Sequence, residues 1–111
     1  MANERRRAPR YPLIAAAEII EPQTNLRLRG RTSDLSLLGC CVELRNALPV
    51  GTEIRVQIIH NDVIFAALGV IASRQLNTEI RIKFTDVQLD QHEILEKWLG
   101  SAGARLAALV R

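Results

Sequence analysis

Apolar and polar residues alternate along most of the chain, and this alternation predicts a series of short β-strands. The clearest case is the segment 52–59, where Ile54, Val56 and Ile58 are separated by charged or polar residues. A period of two places successive side chains on opposite faces of a strand, which a helix does not do. Turn-forming residues separate the apolar segments. The pattern predicts six strands, at 13–20, 26–33, 40–44, 52–59, 63–74 and 79–84.

The period changes from two to about four near the C-terminus. Leu95 and Leu99 lie four residues apart, as on one face of a helix. The sequence predicts a helix over 90–99 that ends at Gly100, because glycine commonly terminates helices. The last residues, 101–111, form either a second short helix or a tail.

These elements together predict the fold and the division of the chain. Short strands joined by turns favour an antiparallel sheet, and closing that sheet into a barrel removes its exposed edges. Gly69 interrupts the longest strand, where a bend or bulge would let the sheet curl. We expect an all-β fold, a six-stranded antiparallel β-barrel with a C-terminal helix packed on it. The expected division is a flexible arm over 1–12, the barrel with its helix over 13–100, and the tail.

Composition restricts the class of protein. The chain has 111 residues, of which 48% are hydrophobic but only 4% aromatic, which indicates one domain with an aliphatic core. No apolar stretch is long enough to span a bilayer and the N-terminus does not resemble a secretory signal, so we expect a cytoplasmic protein without membrane insertion. Cys40 and Cys41 are sequence neighbours that point to opposite faces of a strand, so both are expected to be reduced.

The sequence gives little support to an enzyme. His60 and His92 have no cysteine pair nearby, and His92 lacks the second histidine that a helical zinc site needs. A cysteine nucleophile would need a base that the sequence does not supply. We therefore expect no catalytic residues, no metal and no resident cofactor.

Positive charge is concentrated at the N-terminus. The formal net charge is +3, and Arg5, Arg6, Arg7 and Arg10 contribute much of it. A guanidinium group pairs with phosphate oxygens, reads the edge of guanine at two points and stacks on purine faces. These arginines are either an anion clamp or a solvated basic tail.

A second polar motif follows the second predicted strand. Asp34 and Ser36 are two residues apart, so on extended backbone they share a face and offer a carboxylate acceptor and a hydroxyl donor. Gly39 would let the backbone approach a ligand closely or adopt a positive φ. The other interpretation is an ordinary turn in which Asp34 and Ser36 bond their own backbone.

The two motifs in this order resemble the PilZ domain, a bacterial receptor module for the second messenger cyclic di-GMP. The motifs are Arg5-Arg6-x-x-x-Arg10 and Asp34-x-Ser36-x-x-Gly39. The similarity extends to the turn at 48–51, to the strand with Gly69 and to the closing helix. It implies a six-stranded barrel with a C-terminal helix and a single-domain cyclic di-GMP receptor or adaptor.

The resemblance also implies roles for individual residues. Its ligand-binding positions fall on Arg5, Arg6, Arg10, Asp34, Ser36 and Gly39. Arg6 and Arg10 would hold phosphates and guanine edges from the arm, and Asp34 and Ser36 would hold the ligand from the barrel. In the family, the residue before the arginine motif influences how many ligand molecules bind, and Arg5 at that position favours a stacked pair.

Two further arginines are additional candidates. Arg7 is not a motif position and is treated as auxiliary. Arg81 stands near a position where many relatives have glycine, and it either contacts the ligand or remains solvated on the outer face of its strand. The sequence does not choose between these two interpretations.

The remaining expectations concern how the signal is transmitted and which other functions the sequence allows. We expect the arm to become ordered on ligand binding and to present a surface to an unidentified effector protein, with the receptor a monomer or weak homodimer. One alternative is a small barrel that binds nucleic acid through the stripe of Arg27, Arg29 and Arg31. The few aromatic residues argue against it. Another alternative is a PilZ-like scaffold for protein interaction that binds no nucleotide.

Overall fold

The strands and the helix follow the predicted order. The computed structural model describes residues 8–45, 48–75 and 78–110, with side chains as far as Ser101. The strands are β1 (Tyr11–Pro12), β2 (Ala16–Glu21), β3 (Leu26–Leu35), β4 (Gly39–Glu43), β5 (Glu53–His60), β6 (Val63–Gln75) and β7 (Glu79–Asp86), and the helix is α1 (Leu89–Val110).

Six of these strands close into an antiparallel barrel. The order of neighbours is β3-β2-β5-β6-β7-β4, and β4 pairs back with β3 to complete the ring. The predicted six-stranded antiparallel barrel is therefore confirmed. Ring closure leaves the barrel strands without a free edge.

The short strand β1 continues the line of β2 along β3. Tyr11 lies opposite Leu35 and Pro12 opposite Asp34, whereas β2 pairs with the other end of β3. The side chain of Thr32, which is buried, bridges the gap between β1 and β2. Its hydroxyl accepts a hydrogen bond from the Ala15 amide at 3.0 Å and donates to the Leu13 carbonyl. Pairing with the sheet thus begins at Tyr11, inside the segment assigned to the arm from sequence.

The core is aliphatic, as the composition indicated. Inward-facing residues of the strands are almost completely buried, and the largest of them are Phe65, Ile19, Leu35, Ile54 and Ile58. Cys40 and Cys41 are both buried, and no disulfide joins them. Burial of this much aliphatic surface is the main favourable contribution to folding.

Irregularities in β6 bend the sheet where a glycine predicted it. The register between β6 and β7 shifts between Leu68 and Gly69, which confirms a bulge at Gly69. A Cβ atom there would lie 2.8 Å from the carbonyl oxygen of Lys83, so only glycine fits without displacement of β7. A second shift follows between Ile71 and Ser73, and it leaves Ala72 exposed.

Helix α1 packs on the barrel through its first half. Leu95 and Leu99 are buried, and the ring of Trp98 meets His60 edge-on at 5.4 Å. The side-chain oxygen of Gln91 accepts a hydrogen bond from the Ala66 amide at 2.7 Å. That amide lies in the part of β6 beyond its pairing with β7, so the helix satisfies a backbone donor that the sheet leaves open.

The predicted helix end at Gly100 is wrong, because α1 runs through this glycine to Val110. A glycine inside a helix costs only about 1 kcal/mol, and the alanines and leucines that follow it have high helix propensity. No helix of the described residues is both long and apolar enough to cross a membrane.

Candidate functional site

A pocket of about 330 Å³ lies on the barrel between the N-terminal segment and β7. The polar and charged side chains at its wall come from three parts of the chain. Arg10 approaches from the segment before β1, Asp34 and Ser36 from the end of β3, and Arg81 and Lys83 from β7. Gly39, at the start of β4, also contributes to the wall.

Most of the predicted site residues meet in this pocket. Arg10, Asp34, Ser36, Gly39 and Arg81 all line it, although 24 positions separate Arg10 from Asp34 in the sequence. The predicted residues Arg5, Arg6 and Arg7 lie outside the described residues.

The pairing of β1 with β3 brings Arg10 to the second motif. Tyr11 is the register partner of Leu35, so the residue before Tyr11 lies beside the end of β3, where Ser36 begins the next turn. Leu13 and Ala15 are buried and hold this part of the chain on the barrel. Arg10 itself is exposed, so its guanidinium is free to face the pocket.

Asp34 is the polar residue of the pocket whose bonding is incomplete. Its Oδ1 atom is buried, and it has no hydrogen-bond partner among the described residues. A buried carboxylate oxygen without a donor is costly, and such a group in a pocket indicates a position where a ligand donor would be favourable. The interpretation in which Asp34 caps its own turn through this atom is not realised.

Ser36, by contrast, makes the turn. Its hydroxyl oxygen accepts hydrogen bonds from the amides of Leu38 at 3.1 Å and Gly39 at 3.2 Å. The hydroxyl also lies 3.3 Å from the Gly39 carbonyl, to which it donates, and the Ser36 amide donates to the same carbonyl at 2.8 Å. The side chain is buried and its hydrogen-bonding capacity is used. In this structure Ser36 shapes the loop that lines the pocket.

Gly39 is required by the packing of two strands. A Cβ atom on Gly39 would overlap the carbonyl oxygen of Ile82 in β7. Its φ is not in the positive range, since Gly51 is the glycine with positive φ within the described part of the chain. Gly39 is therefore not needed for a positive φ. The close approach is to β7, and it keeps the floor of the pocket free of a side chain.

Charges surround a buried thiol beneath the pocket. Cys41 lies between Asp34 of β3 and Arg81 of β7 in the register of the sheet. Burial raises the pKa of the Cys41 thiol, the negative charge of Asp34 raises it further, and Arg81 acts in the opposite direction. The thiol is thus neutral at pH 7, and the formal charges in this row are those of Asp34 and Arg81.

Lys83 and Leu38 are two of the pocket residues that the sequence did not identify as site candidates. Lys83 shares the outer face of β7 with Arg81, two positions away, and alternation along 79–84 was the signal that could have identified it. Leu38 lies at the wall with 58% of its surface exposed. The two consecutive leucines in this turn, Leu37 and Leu38, were the signal.

The basic stripe on β3 has a different environment. Arg27 and Arg29 pair with Glu18 of β2 at 3.0 and 3.6 Å, and Arg31 pairs with Glu43 of β4 at 3.1 Å. These pairs neutralise the stripe in part, which reduces its attraction for a phosphate backbone. In the described ranges, His, Cys, Asp and Glu form no group of three or more that could hold a metal ion.

Comparisons with known proteins agree with this architecture. The family model described as PilZ domain matches residues 4–101. The PilZ domain of YcgR from Escherichia coli, solved with c-di-GMP, superposes with a TM-score of 0.74 at 20% identity, over 96% of this chain and 97% of that one. The PilZ domain of CeSA from a cellulose-synthesizing bacterium gives 0.69 at 19% identity, over 84% and 96%.

A third solved structure is longer than this chain. The inhibitor of motility MotI/DgrA from Bacillus subtilis gives a TM-score of 0.71 at 16% identity. The match covers 94% of this chain but only 52% of the Bacillus protein. At these identities the likeness shows the fold. No curated protein sequence matches the chain.

Proposed function

Because the chain belongs to the PilZ domain family, we propose that it is a receptor for cyclic di-GMP and that the pocket between Arg10 and β7 is its binding site. The observation that carries this proposal is the convergence of the two motifs. Arg10 of the first motif and Asp34, Ser36 and Gly39 of the second line one pocket. The PilZ domain of YcgR, which shares the fold, was solved with the same ligand.

The chemistry of the pocket suits the two parts of this ligand. The Arg10 guanidinium pairs with a phosphate oxygen or with the O6 and N7 edge of guanine. The Oδ1 of Asp34, which has no partner among the described residues, accepts a hydrogen bond from a guanine N–H group in this proposal. The loop held by Ser36 and the bare backbone at Gly39 give the ligand access to the barrel wall.

The remaining arginines extend the site in this proposal. Arg5 and Arg6 belong to the same motif as Arg10 and bind the ligand from the arm, with Arg7 as an auxiliary cation. Arg5 stacks on a guanine, which favours a stacked pair of ligand molecules over a single one. The protein has no catalytic step of its own and acts as an adaptor for an effector protein.

Calorimetric titration with cyclic di-GMP tests the binding proposal and its stoichiometry. We expect saturable binding of two equivalents per chain. Asp34→Ala weakens affinity at least tenfold, because it removes the acceptor of a charged hydrogen bond to the ligand, which is worth about 1.5–3 kcal/mol. Arg6→Ala and Arg10→Ala weaken it similarly. Arg29→Ala is the matched control, since Arg29 lies on β3 outside the pocket and its removal leaves the affinity unchanged.

The outcomes separate the alternatives. One equivalent per chain would refute the stacked pair. No binding by the wild type would refute the receptor and favour the PilZ scaffold without nucleotide. The nucleic-acid alternative has less support, because ion pairs engage the arginines on which it rests.

Signal transmission is proposed to occur through the arm. Neutralisation of its arginines by a ligand with two phosphates removes their mutual repulsion and folds the arm onto the barrel, where it forms a surface for the effector. Hydrogen exchange of residues 5–12 with and without cyclic di-GMP tests this step, and the change is expected at residues 5–10, because β1 (Tyr11–Pro12) already pairs with β3. Equal protection in both states would contradict it.

A further inference from the structure

Strand β7 presents two cations to the pocket from the side opposite Arg10. Arg81 and Lys83 are two positions apart on one strand, so they share a face, and both line the pocket. Their neighbours across the sheet are small or apolar. Cys41 and Ser73 flank Arg81, and Gly39 and Val70 flank Lys83. The exposed residue Ala72, at the bulge of β6, also lines the pocket and has only a methyl group to place near these cations.

No carboxylate lies directly opposite these two cations, unlike the arginines of β3. Arg31 lies opposite Glu43 and Arg29 opposite Glu18, and each makes an ion pair. Among the described residues no ion pair includes Arg81 or Lys83.

The acidic residues nearest to Arg81 and Lys83 either bond another residue or lie on a different strand. Glu79, two residues before Arg81, lies 3.4 Å from the Ser33 hydroxyl, which donates a hydrogen bond to it. Asp34 lies two strands away from Arg81, beyond Cys41. The positive charge of Arg81 and Lys83 is therefore available to an anion in the pocket.

The two sets of cations stand on opposite walls. From β1 to β7 the sheet passes through β3 and β4, which is three strand spacings or about 15 Å along the sheet. A ligand with a single phosphate group pairs with the cations of one wall and leaves those of the other wall unpaired. A ligand with two phosphate groups satisfies both.

We propose that Arg81 and Lys83 form a second phosphate-binding wall, which holds the phosphate group of the ligand that faces away from Arg10. This inference rests on the proposed function and deepens it. It assigns Arg81 and Lys83 to ligand binding. It also implies that the site distinguishes ligands by the distance between their two phosphate groups.

A double-mutant cycle in calorimetric titrations with cyclic di-GMP tests the second wall. The double variant Arg81→Ala/Lys83→Ala is expected to bind at least tenfold more weakly, because it loses charge-assisted hydrogen bonds. Arg10→Ala also weakens binding. If the walls contact different phosphates, the triple variant shows the product of the two fold-changes, whereas groups on one phosphate give a smaller combined loss.

Controls separate this inference from the proposed function. Arg29→Ala removes an outward β-strand arginine, with 88% of its side chain exposed, and is expected to bind like the wild type. Arg81→Lys keeps the charge and retains more affinity than Arg81→Ala. Thermal unfolding of each variant checks that the barrel remains folded.

Each outcome has a defined meaning. If the wild type binds no cyclic di-GMP, the proposed function fails. If the wild type binds and Arg10→Ala weakens it, but Arg81→Ala/Lys83→Ala does not, the receptor stands and the second wall is refuted. A combined loss smaller than the product would place both walls on one phosphate and would also refute it.

Discussion

Asp34 and Ser36 are two residues apart, but their polar atoms have opposite situations. The Ser36 hydroxyl bonds two amides and a carbonyl of its own loop, whereas the buried Oδ1 of Asp34 has no partner among the described residues. Removal of a bonded group destabilises a fold, whereas removal of the charge from a buried, unbonded carboxylate relieves its desolvation cost. The fold therefore depends on Ser36, and Asp34 is available to a ligand.

Urea unfolding of two variants tests this difference. Ser36→Ala leaves the amides of Leu38 and Gly39 without their acceptor and is expected to lower the free energy of unfolding by about 1–3 kcal/mol. Asp34→Asn is the matched change at the unbonded position and is expected to leave the free energy of unfolding unchanged or to raise it, because it removes a buried charge that has no donor. A larger loss for Asp34→Asn than for Ser36→Ala would contradict this assignment.

The buried thiol of Cys40 makes the free energy of unfolding depend on pH in alkaline solution. Burial raises the pKa of its thiol far above the ordinary value of 9.0. Above about pH 9 the unfolded thiol loses its proton while the folded one keeps it, so the unfolded state gains stability. The stabilising contribution is complete below that pH and decreases as the pH rises.

Unfolding measured between pH 8 and pH 10 tests the link. The free energy of unfolding is expected to fall by about 1 kcal/mol between pH 9 and pH 10 from this thiol, and the slope approaches about 1.4 kcal/mol per pH unit at higher pH. Cys40→Ala removes this part of the slope, and the difference between the two proteins isolates it from other titrating groups. Identical slopes in both proteins would show that Cys40 is not the cause.

At the scale of elements, the strands were predictable and the helix end was not. A period of two identified the strands at 52–59 and 79–84 most clearly, because their inner faces are aliphatic and their outer faces polar, whereas the strand at 63–74 was identified as a long, almost continuously apolar segment. Gly69 identified a bulge because a Cβ atom there has no room. Gly100 gave a false signal, since the space around it is open and nothing stops the helix from continuing.

Gly100→Ala tests the corrected helix end. Inside a helix, alanine is more favourable than glycine by about 0.8–1.0 kcal/mol, and apart from the helix's own backbone no atom of the described side chains and strands lies within 4 Å of the added methyl group. We expect an increase in the free energy of unfolding of about that size. If the helix ended at Gly100 in a left-handed conformation, the same substitution would lower stability.

Part of the lining of the pocket was predictable from the sequence, but the hydrogen bonding of its residues was not. The motif spacing identified Asp34, Ser36 and Gly39, and the register of the sheet brings them to Arg10. The sequence does not show that the Ser36 hydroxyl is occupied, since a serine in a turn has several possible partners. It also does not show that β7 lies beside this loop, because that depends on closure of the barrel. Lys83 was missed for this reason.

At the scale of the whole molecule, barrel closure determines where charge is available. The formal net charge is only +3, and the arginines of β3 are paired with Glu18 and Glu43. The cations around the pocket come from the segment before β1 and from β7, at opposite walls. We therefore expect the protein to attract a compact anion at this pocket more than a long phosphate backbone.

Binding to single-stranded oligonucleotides over a range of salt concentrations checks this distribution. We expect weak binding that Arg29→Ala does not change, because Arg29 shares Glu18 with Arg27 and makes no large contribution to an external anion. Tight binding with a steep salt dependence, lost when Arg29 and Arg31 are replaced, would instead support the nucleic-acid alternative.

Chemical-shift mapping of the ¹⁵N-labelled protein with cyclic di-GMP tests the central claim most directly, because it reports both binding and its location. The pocket predicts that the largest changes occur at the amides of Arg10, Ser36, Gly39 and Arg81, with small changes at Gly30 on the far part of β3. Absence of change, or changes centred on 27–31, would contradict the proposed receptor site.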